Sequence, residues 1–111
     1  MEERETIKAG DIQYLAFYLK ERDRTTGSIT AYNLASASTI TFRMKLYGST
    51  VNALTITMST VSSPSNTLGY CRGLATIPTV LGNYTSEIEV SISPEVKTWE
   101  GPKYYIVEQF G

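Results

Sequence analysis

The sequence predicts an all-β fold, an antiparallel sandwich of about seven strands, and three observations carry that prediction. Large apolar residues recur at every second position, as they must where successive side chains of a strand face opposite sides of a sheet. Turn-forming clusters rich in Gly, Pro, Ser and Asn interrupt these runs at short, regular intervals. No stretch carries the 3.6-residue period of a three-turn helix, so crossover connections and parallel sheets are not expected.

The elements follow in chain order. A short opening strand is expected at Thr6 to Ala9, after a tail over residues 1–5. Ile12 to Lys20 is apolar on both faces, with Leu15, Phe17 and Leu19 the inward set, which predicts a central strand. The cluster Lys20-Glu21-Arg22-Asp23-Arg24 alternates in sign and runs into Thr25-Thr26-Gly27, the pattern of a solvated hairpin tip. From Thr39 to Leu46, Ile40, Phe42, Met44 and Leu46 alternate with Thr39, Thr41, Arg43 and Lys45, giving one core face and one wet face. Leu54, Ile56 and Met58 repeat the pattern against Thr55, Thr57 and Ser59, and Gly69 to Ile77 supplies a further strand. In Asn83 to Ile92, Tyr84, Ile88, Val90 and Ile92 oppose Thr85, Glu87, Glu89 and Ser91. Ser93 to Pro102 reads as a long loop, and Lys103 to Phe110 as the closing strand. Residues 6–111 are thus expected to form a single domain, near the commonest domain size.

Leu81-Gly82-Asn83-Tyr84 is the most informative short segment. In Greek-key sandwiches a tyrosine opening the penultimate strand often hydrogen-bonds through its hydroxyl to upstream backbone, the tyrosine corner. Tyr84 stands where that device belongs; the plainer alternative is a core tyrosine without the corner bond.

Composition excludes several classes of function. Ten basic and eleven acidic residues give a net charge of −1, too little field to recruit nucleic acid or an anionic membrane surface. The start, Met1-Glu2-Glu3-Arg4-Glu5, lacks the basic and apolar regions of a secretory signal, so the chain is expected to be made in the cytoplasm. The single Cys71 cannot close an intrachain disulfide and reads as a small buried apolar residue.

Histidine is absent, which removes the commonest general base and the commonest metal ligand. Neither Cys71 nor any serine then has an imidazole to activate it, and no enzymatic activity is expected. Glu87 and Glu89 share a strand face, the spacing of a carboxylate pair but also of any wet face. No Asp/Asn/Gly loop suggests calcium and no glycine-rich cradle suggests phosphate, so no cofactor or metal is expected. Thr39, Thr41, Thr55 and Thr57 line strand faces that threonine favours in any exposed sheet.

What remains is aromatic. Eight tyrosines, three phenylalanines and one tryptophan exceed what one small core can enclose, so some are expected to face outward. The candidates for an interface are Trp99, in the expected loop, and Tyr104 and Tyr105, whose adjacency puts them on opposite faces. Tyr14 and Tyr18, opposite Leu15 and Phe17, come next. Such side chains offer rigid contact area at low entropic cost.

Several segments also share an order with a known family: Lys8-Ala9-Gly10-Asp11, the apolar run Tyr14 to Leu19, Thr26-Gly27-Ser28, Asn33-Leu34-Ala35-Ser36-Ala37, the strand Ile40 to Leu46, and Gly82-Asn83-Tyr84 leading into Thr85-Ser86-Glu87-Ile88-Glu89-Val90. In this order they resemble the N-terminal immunoglobulin-like domain of phage baseplate upper proteins and related phage virion modules, over about residues 4 to 110. The resemblance implies an immunoglobulin-like sandwich in a structural virion protein of the baseplate, tail, neck or head. Such a protein is assembled in the host cytoplasm through contacts with other virion proteins and copies of itself. The competing expectation is a carbohydrate-binding or adhesive module, with Trp99, Tyr104 or Tyr105 stacked on a sugar ring.

Overall fold

The structure, a computed structural model, describes residues 4–22, 25–62 and 64–108. It is all-β. The strands are β1 (Arg4–Lys8), β2 (Ile12–Tyr18), β3 (Lys20–Arg22), β4 (Ile29–Ala31), β5 (Thr39–Leu46), β6 (Leu54–Thr57), β7 (Ser59–Thr60), β8 (Tyr70–Thr76), β9 (Gly82–Ile92), β10 (Glu95–Glu100) and β11 (Lys103–Val107). One turn of 3-10 helix, Asn66–Leu68, precedes β8.

Two sheets carry the core. The larger has the order β1-β11-β9-β5-β6, with β10 also on β9; the smaller has the order β2-β8-β7. All pairings are antiparallel except β1 with β11. The eleven residues of β9 reach far enough for β10 and β11 to share one edge of it. β10 pairs with Glu87–Ile92, β11 with Gly82–Tyr84, and the Gly101-Pro102 break falls between them. Proline has no N–H to give the ladder, and a Cβ at residue 101 would strike the Ser86 hydroxyl, so the strand breaks where glycine permits it.

The alternation seen in the sequence fixes which faces meet. Ile40, Phe42 and Met44 of β5, and Tyr84, Ile88 and Val90 of β9, point inward with Tyr104 and Ile106 of β11. From the other sheet come Leu15 of β2 and Cys71 and Ala75 of β8, all buried. Phe17 of β2 stacks on Phe42 of β5 at 5.5 Å between ring centroids, and Tyr104 meets Phe42 edge-on at 6.4 Å. This contact joins the two sheets across the core.

Four expectations need correcting. The opening strand begins at Arg4, so Arg4 and Glu5 belong to the sheet rather than to a tail; residues 1–3 lie outside the described residues. Glu95–Glu100 is strand β10, not loop: Val96 and Thr98 alternate with Lys97 and Trp99, a signal hidden by the mixed chemistry of Val, Thr and Lys. β2 is an edge strand of its sheet rather than a central one. Its second apolar face, Ile12, Tyr14 and Tyr18, is exposed, so apolarity on both faces did not mean burial on both. The strand count rises because β3, β4, β7 and β10 are additional. Lys20–Arg22 of the charged cluster does form a hairpin, β3 with β4; Asp23, Arg24, Ser63 and Phe110 lie outside the described residues.

Candidate interaction surface

The Tyr84 hydroxyl donates to the Val80 carbonyl at 2.6 Å, with the ring fully buried at the start of β9. The bond ties the β8–β9 connection to the core, and burial raises the phenol's pKa above its ordinary value. Tyr84 is therefore a structural device.

Two of the interface candidates are engaged within the chain itself. Tyr104 is 1% exposed, and burial, with Glu5 nearby, raises its pKa. It points inward because β11 pairs Tyr104 with Tyr84, whose side chain already faces the core. Trp99 lies in β10, half-buried against the core. Its indole Nε1 donates to the Lys20 carbonyl at 2.8 Å, and its ring lies 4.8 Å from Tyr32. Lys97 completes this corner: its ammonium reaches Glu21 at 2.8 Å and sits over the Tyr32 ring at 5.1 Å. The hydrogen bond to Glu21 raises the Lys97 pKa. Trp99, Tyr32 and Lys97 thus hold the β3–β4 hairpin against β10.

Tyr105, Tyr14 and Tyr18 do face solvent. Tyr105 stands on β11 beside Thr6 and Asn83, among polar neighbours. Tyr14 and Tyr18 belong to a larger group. The register of β2 on β8 pairs Ile12 with Thr76, Tyr14 with Leu74, Ala16 with Arg72 and Tyr18 with Tyr70, all outward-pointing. The Tyr18 and Tyr70 rings lie 5.0 Å apart, and the Arg72 guanidinium sits 5.0 Å over Tyr14. Ile12, Leu74, Tyr70 and Arg72 escaped the sequence reading. The alternation in β8 gives their side, but only the pairing register shows that they join Tyr14 and Tyr18.

The outer face of the larger sheet is the opposite in character. Arg43 of β5 reaches both Glu87 and Glu89 of β9, at 3.4 and 3.3 Å, and threonines fill the flanking positions. The two carboxylates are engaged by one guanidinium on a wet face. A cavity of about 70 Å³ between Arg43, Lys45, Asn52, Thr85, Ser86 and Glu87, and an open trough of about 300 Å³ floored by Ile40 and Met58, carry no aromatic side chain. Among the described residues no three His, Cys, Asp or Glu side chains converge, and no helix is long and apolar enough to cross a membrane.

β11 is flanked by both β1 and β9, so it offers no free edge; β1 alone borders the sheet there. No protein-family model matches the chain, and no curated protein matches it.

Proposed function

We propose that this chain is a non-enzymatic structural protein of a phage or virus particle, acting through protein–protein contacts. The observation that carries the contact half of this reading is the outer face of the β2–β8–β7 sheet. There Ile12, Tyr14, Tyr18 and Leu74 stand exposed together, while charges concentrate on the opposite outer face. Contiguous exposed apolar area of this kind marks interaction sites in folded proteins.

The virion half rests on the resemblance to baseplate-type immunoglobulin-like modules. Strand order supports the immunoglobulin-like part of that resemblance: the orders β2-β8-β7 and β5-β9-β11 are those of strands B-E-D and C-F-G in such a sandwich. The corner bond of Tyr84 is a second support. Two residues on, where antibody domains carry a cysteine, stands buried Ser86, which donates to the Pro102 carbonyl at 2.6 Å. Phe42 on the C-equivalent strand stacks on Phe17, the place a tryptophan and disulfide take in antibodies.

The sugar-stacking alternative loses two of its three rings, since Tyr104 is core and Trp99 is engaged with Tyr32 and Lys20. The test is co-purification with particles from the source, followed by electron microscopy to find density for this domain. Particles that lack the chain, together with glycan-array binding, would overturn the reading.

A further inference from the structure

We propose that the outer face of the β2–β8–β7 sheet is covered by the same face of a second copy of this chain, in a two-fold symmetric dimer. The inference rests on the reading of the chain as a contact module and deepens it by naming surface and partner.

Ile12, Tyr14, Tyr18 and Leu74 are 68, 60, 63 and 55% exposed. With roughly 200 Å² for each whole residue, these four alone present roughly 500 Å² to solvent, as large as the biggest patch on a typical monomer. Ala16 and the stem of Arg72 lie between them in the register, and Tyr70 beside Tyr18 extends the patch. Covering it approaches the ~800 Å² per partner of a standard specific interface.

The chemistry of the face favours a copy of itself. Arg72 is the one charged residue that β2 and β8 turn outward, and its guanidinium already lies over the Tyr14 ring. The face thus carries a single positive charge, too sparse a pattern for a strongly acidic or basic partner to match, and neither β2 nor β8 turns a carboxylate outward. An isologous contact needs only that a patch complement itself. Two flat faces of Tyr, Ile and Leu satisfy this by packing at the ~10 Å spacing of stacked sheets.

The test is sedimentation velocity and light scattering on the whole chain, from low micromolar to several hundred micromolar. A dimer is expected, and Leu74→Glu is expected to weaken it about 100-fold while leaving the circular-dichroism spectrum unchanged, because Leu74 is exposed within one chain. Tyr18→Lys serves the same purpose should Leu74→Glu fold poorly. A wild-type chain monomeric throughout overturns the proposal. So does a dimer that survives Leu74→Glu and Tyr18→Lys but is lost in Ala16→Pro, which would put the contact at the β2 edge. Particle co-purification separates the two readings. A monomeric wild-type chain that still enters particles sinks the dimer alone, and a dimer found in no particle sinks the virion role alone.

Discussion

Tyr84 and Cys71 belong to one core, yet each is held there by a different balance of polar and apolar energy. Tyr84 buries a ring and still satisfies its hydroxyl through Val80. Replacement by Phe keeps the ring and leaves the Val80 carbonyl without this donor, so Tyr84→Phe is expected to cost about 1–2 kcal/mol in urea denaturation. Cys71 has no such bond, and burial pushes its thiol from the ordinary 9.0 up to about 11. The unfolded chain then releases a proton near pH 9 that the folded chain keeps. Stability present below pH 9 therefore falls as pH rises through about 11, by on the order of 2 kcal/mol from this group. The raised phenols of Tyr84 and Tyr104 act in the same direction at higher pH. Urea midpoints at pH 8 and pH 10.5 measure the loss, and Cys71→Ala should make the decline over this interval shallower. Equal slopes in the two proteins would refute the assignment to Cys71.

At the scale of elements, the β3–β4 hairpin makes no backbone ladder to either main sheet. Its docking depends on Trp99, Tyr32 and the Lys97–Glu21 pair. The ion pair joins two well-exposed side chains and adds little; the indole, with its ring contact and Nε1–H bond, carries most of the attachment. Trp99→Ala is expected to cost about 2–3 kcal/mol. It should also speed trypsin cleavage after Lys20 or Arg22 well before global unfolding. Trp99→Phe, which keeps an aromatic ring but not the donor, should fall between the two. Unchanged proteolysis in Trp99→Ala would show that the hairpin docks by other means. By contrast Arg43→Ala, which removes two ion pairs on a wet face, should lower stability by no more than about 1 kcal/mol in the same denaturation experiment.

For the molecule as a whole, Phe42 is the junction. It is fully buried in β5, stacks on Phe17 of the smaller sheet and meets Tyr104 of β11. Phe42→Ala is expected to cost about 3–5 kcal/mol, with both sheets melting in one transition. Separate transitions by near-UV and far-UV circular dichroism would contradict that coupling.

The all-β class, the inward sets of β5 and β9 and the place of Tyr84 were legible in the chain, because period-two alternation and turn chemistry are local properties written residue by residue. Tyr14 and Tyr18 were legible as outward for the same reason. The exposure of β2, the burial of Tyr104, the engagement of Trp99 and the grouping of Ile12 and Leu74 with the tyrosines were not. Each depends on which strands lie side by side and in what register. That is settled by contacts between residues distant in sequence, such as Lys20 with Trp99 or Tyr14 with Leu74. Alternation assigns a side chain to a face; only the packing of one sheet on another decides whether that face is core or surface.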